Sequence, residues 1–233
     1  MRITKKAVQL KGIGTVIFSK NKRSKSVKIS VKSDKSVLVS FPYYASSKSI
    51  IEFIYKNEEW IHRQQFKIET RSNRFFDGSV FKTKHFIISF LQGFENKTIK
   101  KDVNVIVTVK DFSSAESRIF IEKVITDIYR FEAKNILPAR LNKLAEEFGF
   151  SFNSVTIRNN KLNWGSCSSR NSISLNLHMM KMPDKLIDYI LLHELVHTEI
   201  KNHGPQFWEK LNRITGNSAR ALAKETKQYS TIL

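Results

Sequence analysis

Apolar and polar side chains alternate over much of the first 110 residues. Val27, Ile29 and Val31 are separated by serine and lysine, and a second alternating run follows at residues 37–41. A period of two indicates β-strands, because successive side chains of a strand point to opposite faces of the sheet. With turn-forming residues at 33–36, the two runs predict a hairpin with one buried face and one lysine-rich face.

The spacing of apolar residues becomes helical in two longer segments. Residues 49–70 predict a helix that begins after a pair of serines. Residues 114–148 predict a second helix, which Pro138 is expected to kink or divide. Between these segments, residues 80–90 and 98–109 alternate again and predict strands.

The remaining pattern predicts short strands at residues 154–158 and 172–176 and then a strongly apolar helix that begins at Pro183. We therefore predict an α+β protein. A β-rich, basic N-terminal region with one helix would cover residues 1–110, and a second domain, in which the apolar helix packs on a small sheet, would cover residues 111–233. No internal repeat is visible in the sequence.

Composition narrows the class of protein. Of the 233 residues 41% are hydrophobic, which is enough to build a core, and Gly and Pro are scarce at 8 and 4. The single cysteine, Cys167, excludes an intramolecular disulfide and fits a reducing compartment. Neither a signal peptide nor an apolar run of transmembrane length is visible, so we predict a cytoplasmic protein that does not associate with membranes.

The charge is strongly positive and unevenly distributed. Formal net charge is +19, and residues 1–110 carry 23 Lys+Arg against 8 Asp+Glu, whereas residues 111–233 carry 17 against 13. A basic excess of this kind can hold DNA or another polyanion, and it can equally be an ordinary solvated surface. No nucleic-acid-binding motif accompanies it to decide between the two.

Three of the six histidines fall within residues 193–203. On a helix His193 and His197 lie one turn apart on the same face, with Glu194 beside them. Two imidazoles and a carboxylate in this H-E-x-x-H pattern suit a catalytic zinc ion, and His203 is the candidate for the third ligand. A metal-free helix with coincidental histidines is the alternative.

The spacing of the three histidines matches the metzincin pattern H-E-x-x-H-x-x-G-x-x-H. However, Ile200 occupies the glycine position, and no methionine follows Met182 to form a Met-turn. Membership in that class is therefore excluded, and the residues Gly204-Pro205 place His203 in a turn between two helices.

Several further residues combine with the histidine motif into a pattern that is familiar from one family. These are Arg158, Trp164-Gly165-Ser166-Cys167, Leu175-Asn176, Pro183, Asp188-Tyr189, Asn202-His203 and Phe207-Trp208. The chain resembles the YgjP-like metallopeptidases, bacterial zincins that are related more distantly to SprT-like proteins. The resemblance is strongest over residues 115–215, and it extends less specifically to the N-terminal hairpin, the helix with Trp60-Ile61 and the turn at Asp77-Gly78.

The resemblance implies a zincin-like metallopeptidase domain that holds one zinc ion per chain. It implies His193, His197 and His203 as the ligands and Glu194 as the general acid/base, which takes a proton from a zinc-bound water and later delivers it to the leaving group. The expected substrate is a protein or peptide. The alternative is a nucleic-acid-associated module with a structural zinc or a protease activity that depends on DNA, because some SprT-like proteins cleave proteins attached to DNA.

The other residues near the motif leave alternatives open. Residues Trp164 to Cys167 are expected to form a tight turn that accounts for Gly165. Either Trp164 packs over the helix that carries His193, or this turn and the strand at 172–176 line the substrate cleft, where a peptide could add to the strand edge. Cys167 is either a small buried residue or a fourth ligand. Asn176 is expected to tie its strand to the helix that carries His193 and His197. His178 either stabilises an oxyanion or faces solvent.

Overall fold

The computed structural model describes residues 5–32, 34–72 and 74–232. The chain divides between Phe75 and Phe76 into two compact units, which we call unit 1 and unit 2. Ser33, the first residue of the predicted hairpin turn, lies outside the described residues, and so do residues 1–4. No helix within the described ranges is long and apolar enough to cross a membrane.

Unit 1 begins with a four-stranded sheet. Its strands are β1 (Lys5–Leu10), β2 (Gly14–Lys20), β3 (Lys28–Val31) and β4 (Val37–Phe41). They lie in the order β1-β2-β4-β3, with a parallel pair, β2 and β4, in the centre and an antiparallel pair on each side. The predicted hairpin is confirmed as β3 and β4.

Two helices cover one face of this sheet, where the sequence predicted a single one. They are α1 (Ser47–Lys56) and α2 (Glu58–Ser72), and they are separated at Asn57, whose side chain donates a hydrogen bond to the carbonyl of Phe53 at 2.8 Å. Ser46 caps α1 by accepting a hydrogen bond from the N–H of Ser49 at 3.1 Å, as the sequence predicted. The core is built from Ile13, Val16, Val37, Val39, Ile50, Ile54 and Ile61.

Unit 2 begins with a second four-stranded sheet of the same topology. Its strands are β5 (Val80–Lys82), β6 (Ile87–Gln92), β7 (Lys97–Lys101) and β8 (Asn104–Val109). The order is β5-β6-β8-β7, again with a central parallel pair and two outer antiparallel pairs. Each of the two strands predicted here is therefore a pair of shorter strands, and the two sheets form a repeat that the sequence does not reveal.

A long helix, α3 (Ala115–Phe148), follows the second sheet. Ser114 caps its start, Gly149 ends it at a φ of 73°, and it continues through Pro138 without being divided there. Hydrogen bonds join this helix to the second sheet. The carboxylate of Glu132 in α3 accepts them from Thr83 Oγ1 and from the backbone N–H of His85. Hence the structural division lies between Phe75 and Phe76, upstream of the predicted boundary at residue 110.

The rest of unit 2 is a small sheet and three helices. The strands are β9 (Ser154–Arg158), β10 (Gly165–Cys167) and β11 (Ser172–Asn176) in the order β10-β11-β9. After a 3₁₀ helix (Leu177–Lys181) come α4 (Asp184–Glu199), α5 (Pro205–Ile214) and α6 (Ala219–Thr226). The H-E-x-x-H helix is α4 and it packs on β10, so the α+β fold class predicted from the sequence is confirmed.

Candidate metal centre

The spacing of two histidines in α4 brings their rings together. His193 and His197 are about one helical turn apart, and their ring centroids lie 4.8 Å from each other. Helix α4 contacts α3, β10, α5 and α6, so most of its circumference is covered. This burial explains why most other positions of the helix are apolar.

The third histidine reaches the same place through the turn that follows α4. Gly204 donates its N–H to Oδ1 of Asn202 at 3.1 Å, which shapes this turn ahead of α5. Nε2 of His203 lies 3.1 Å from Nε2 of His193 and 3.1 Å from Nε2 of His197. The potential ligand atoms of the three residues lie within 4.8 Å of one another, and the described ranges contain no other such group of His, Cys, Asp or Glu.

The orientation of these rings is fixed from outside the cluster. Nδ1 of His197 lies 2.9 Å from the carbonyl oxygen of Ile200, so Nδ1 carries the proton and Nε2 keeps its lone pair toward the other two rings. The fully buried ring of Phe207 stacks on His197 at 4.5 Å and lies 4.8 Å from each of the other two imidazoles. Phe207 therefore packs against all three imidazoles.

The environment favours neutral imidazoles. Burial, together with the two neighbouring histidines, lowers the pKa of His193 to about 3. Burial also lowers the pKa of His197. At neutral pH these two rings are therefore unprotonated and offer lone pairs to a cation, the form in which histidine binds metals.

Glu194 lies next to the cluster in an unusual state. Its side chain is only 4% exposed, and no described group makes a hydrogen bond to its buried Oε2 atom. Burial raises the pKa of this carboxyl to about 8. A buried carboxyl group without a partner is costly, which makes this position a candidate for chemistry.

Gly165 explains how a strand can approach this carboxyl group. A Cβ atom at Gly165 would lie 2.6 Å from Oε1 of Glu194, closer than non-bonded atoms allow, so any larger residue here would force the side chain of Glu194 to shift. The tight turn predicted at Gly165 is wrong, because the residue belongs to β10. The glycine is needed for close approach to Glu194.

The comparison with protein families identifies the chain. A sequence model described as the YgjP-like metallopeptidase domain matches residues 25–228, which is most of the 233 residues. The chain belongs to the YgjP-like metallopeptidase family. The resemblance that rests on the motifs is thereby confirmed, and with it the expectation of an enzyme that hydrolyses peptide bonds with the help of a metal ion.

Two solved structures are similar to this YgjP-like metallopeptidase over part of its length. One is the zymogen of abylysin from Pyrococcus abyssi, with 20% identity and a TM-score of 0.36. The other is the zymogen of jannalysin from Methanocaldococcus jannaschii, with 26% identity and a TM-score of 0.35. Each match covers 40% of this chain and 94% of the other. No curated protein matches the chain.

In this YgjP-like metallopeptidase, the motif around Gly165 lies on an edge strand. Ser166 is exposed, and β10 pairs with β11 along one side. The half-buried thiol of Cys167 contacts Ser168 and lies 3.8 Å from Nζ of Lys201, and burial raises its pKa. It is not among the three clustered residues that could hold a metal ion. The carbonyl of Trp164 accepts a hydrogen bond from the N–H of residue 176 at 2.8 Å.

Two residues of this motif region lie deeper than the sequence suggested. The fully buried Asn176 donates its amide to the carbonyls of Asn160 at 2.7 Å and Asn163 at 2.9 Å, so it ties its strand to the preceding loop where we predicted the zinc helix. His178 is 4% exposed, with Nε2 3.1 Å from Asn159 and its ring 5.9 Å from that of Tyr129. The solvent-facing alternative for His178 is therefore wrong.

Sequence reasoning missed the group that anchors the start of α4. Arg140 of α3 makes a two-pronged ion pair with Asp188, and the bond from its terminal nitrogen measures 2.8 Å. This pairing with Asp188 raises the pKa of the arginine. The two residues are 48 positions apart, and no local pattern marks their pairing. The carbonyl of Ile200, which orients His197, was missed for a related reason, since a backbone atom leaves no sequence signal.

Proposed function

We propose that this YgjP-like metallopeptidase binds one zinc ion through its three clustered histidines and cleaves peptide bonds with Glu194 as the general acid/base. The observation that carries the proposal is the convergence of three imidazole Nε2 atoms beside a buried carboxyl group with a free oxygen. The proposed ligands are His193, His197 and His203.

The donor set fits zinc in a catalytic role. Neutral imidazole nitrogens are preferred zinc ligands, and a catalytic site keeps three protein ligands and one open position. The three histidines supply that number, and their Nε2 atoms face one another. When bound, zinc lowers the pKa of a water molecule and polarises a carbonyl group.

The residues of the chain then supply proton transfer and orientation. The carboxyl group of Glu194 is raised in pKa by burial, and a dication at the histidines favours its ionised form, so it is suited to exchanging protons near neutral pH. It accepts a proton from the attacking water, the oxygen adds to the scissile carbonyl carbon, and the same proton passes to the amine as the C–N bond breaks. Ile200 and Phe207 hold the imidazole of His197 in place.

Strand β10 supplies the proposed seat for the substrate. It is the edge strand of its sheet, and Gly165 brings its backbone directly against Glu194. An extended peptide could add to such an edge through main-chain hydrogen bonds, which would place a peptide bond next to the proton-transferring group. Residues Trp164 to Cys167 would then line the cleft.

The substitution Glu194→Gln tests the mechanism because it keeps the shape of the side chain and removes its proton affinity. We expect the variant to retain zinc, measured by elemental analysis of protein purified without a histidine tag. We expect cleavage of a complex peptide mixture, followed by mass spectrometry, to fall by at least about a thousandfold.

Glu199→Gln is the matched control. Glu199 lies on the same helix, is exposed and pairs with Lys210, so its loss should leave both zinc content and cleavage unchanged. If Glu194→Gln cleaves the same peptides at the parent's rate, the assigned mechanism is wrong. If the parent protein contains no metal and gains no activity when zinc is added, the zinc proposal fails.

The second candidate, a nucleic-acid-associated module with a structural zinc, has weaker support at this site. Structural zinc sites are closed by four protein ligands, whereas the group in the described residues contains three. A buried carboxyl group with a free oxygen also has no use in a closed structural site.

A further inference from the structure

The topology of unit 1 gathers positive charge at one edge of its sheet. Because β2 and β4 are parallel, the segments that follow them leave the sheet at the same edge, and the N–H of Asn21 bonds to the carbonyl of Phe41 at 2.8 Å. Strand β3 also begins there, since Lys28 pairs with Ser40. We call this surface the basic edge. It comprises the exposed residues Lys20, Lys22, Arg23, Lys25, Lys28, Tyr43, Tyr44 and Lys48.

Carboxylates are scarce around the cations of the basic edge. Residues 1–33 contain no Asp or Glu, and after Asp34 the next acidic residue is Glu52. Asp34 belongs to the turn between β3 and β4, at the opposite edge of the sheet. Among the described residues, no carboxylate forms an ion pair with a cation of the basic edge. Six like charges on one edge repel one another, so a polyanion that binds there relieves an unfavourable arrangement.

Two aromatic rings stand among these cations. Tyr43 and Tyr44 are 63% and 67% exposed, and their rings lie 5.5 Å apart in an edge-to-face arrangement. The hydroxyl of Tyr44 donates to the carbonyl of Lys25 at 3.2 Å, which joins the aromatic segment to the basic loop. Exposed faces of aromatic rings are platforms on which unpaired bases can stack.

Unit 2 contains an internal comparison for this surface. At the corresponding edge of its sheet, the N–H of Gly93 bonds to the carbonyl of Val109 at 2.9 Å, the counterpart of the bond between Asn21 and Phe41. The segments there carry Glu95 and Asp111 as well as lysines. The same strand topology therefore does not require a purely basic edge. The positive charge of the basic edge in unit 1 is not a consequence of the topology.

We propose that the basic edge of unit 1 binds single-stranded nucleic acid, with its lysines and arginine on the phosphates and Tyr43 and Tyr44 stacking on bases. Cations along a surface attract any phosphate backbone, but stacking on exposed rings requires bases that are not already paired. An anionic membrane would use the charges, but it would need apolar side chains that enter the bilayer, and this edge presents two phenols instead. This proposal is independent of the peptidase function.

Fluorescence anisotropy of the full-length protein with an oligothymidine of about twenty nucleotides tests the proposal. We expect saturable binding at about 50 mM salt and a log–log salt slope of about −3, as for four phosphate contacts on a single strand. The double variant Lys22→Glu/Arg23→Glu should weaken binding at least about tenfold and reduce the slope by about 1.4.

Two pairs of variants separate charge from stacking. Lys97→Glu/Lys110→Glu makes the same change in net charge near the corresponding edge of unit 2, and it should leave binding within about twofold of the parent. Tyr43→Ala should weaken binding at least about fivefold, whereas Tyr43→Phe, which keeps the ring, should bind as the parent does.

Several results would overturn the proposal. They are absence of oligothymidine binding at low salt, equal weakening by the two charge variants, parent-like binding by Tyr43→Ala, and duplex DNA binding as tightly as the single strand. Binding to vesicles that contain phosphatidylserine, with no binding to oligothymidine, would assign the basic edge to a membrane surface instead.

Discussion

Unit 1 and the beginning of unit 2 share one sheet topology but differ in the elements that follow it. Both sheets consist of two hairpins joined through a central parallel pair, and a serine-capped helix follows each sheet. In unit 1 that helix ends after ten residues, while in unit 2 it runs for 34 and leads into the elements that carry the histidines. The same sheet topology is therefore followed by different helical elements in the two units.

The two units also differ in where they place ionisable groups. Unit 1 has 17 Lys+Arg against 5 Asp+Glu, and unit 2 has 23 against 16 over about twice the length. Among the described residues, the buried side chains of Asp, Glu, His, Lys and Arg all belong to unit 2. They are Glu132, His178, Glu194 and His197. Exposed charges act over distance and are screened by salt, whereas buried groups act through contact and shifted pKa values.

The largest expected effect is the loss of zinc and cleavage on removal of His203, which should leave any binding by the exposed charges of unit 1 unchanged. Replacing His203 by alanine removes one of the three proposed ligands, so we expect loss of zinc at micromolar metal and loss of detectable peptide cleavage. Zinc content and cleavage of a peptide mixture are the measurements. If nucleic acid binds at unit 1, its affinity should not change, since His203 lies in unit 2.

His62→Ala is the matched control for that variant. His62 is an exposed histidine of unit 1 whose ring lies 3.5 Å from Glu58. Its removal deletes one imidazole without touching the cluster, so zinc content and cleavage should stay at the parent's level. Retention of full activity by His203→Ala would instead show that this imidazole is not a ligand.

Gly165→Ala is expected to have an intermediate effect. The added methyl group would meet the carboxyl group of Glu194, which must move, although the three imidazoles stay in place. Because displacing a catalytic group by about 1 Å can reduce the rate about a hundredfold, we expect a loss of that order in kcat with zinc retained. Ser166→Ala, at the exposed neighbouring position, should have little effect. Parent-like kcat in Gly165→Ala would show that Glu194 tolerates displacement.

At this site, sequence reasoning succeeded where the interactions are local and failed where they join distant segments. Histidines four apart on a helix must share a face, so the pair in α4 could be predicted from spacing alone. The turn position of His203 followed from Gly204 and Pro205. By contrast, Gly165 was interpreted as a turn residue because its contact with Glu194 joins segments about thirty residues apart, and no local pattern records that contact.

Prediction of the fold succeeded to the same extent, and it failed for the same reason. The residue pattern located β3, β4, β9 and β11, and a pair of serines located the start of α1. The repeated strand order was invisible because it consists of pairings between distant segments, with different side chains in each copy. Likewise, the pairing of Arg140 with Asp188 depends on how α3 and α4 pack, which the periodicity of neither helix specifies.

The smallest expected effect concerns His178, a buried group that the proposed mechanism does not use. Burial, with a smaller contribution from Lys181, lowers the pKa of His178 to about 4, from 6.5 for an exposed histidine. The unfolded chain therefore binds more protons between these two values, and the folded state loses stability as the pH falls through this window. At about pH 5 the loss from this one group is roughly 2 kcal/mol.

Urea unfolding of metal-free protein at about pH 8 and about pH 5 measures this effect. His178→Asn also removes packing on Tyr129, which lowers stability at both pH values, so the informative quantity is the change in unfolding free energy between them. That change should be smaller in the variant than in the parent by roughly 2 kcal/mol. Equal changes in both proteins would show that His178 can take up a proton in the folded state. The contrast between exposed charge in unit 1 and buried charge in unit 2 would then not extend to this residue.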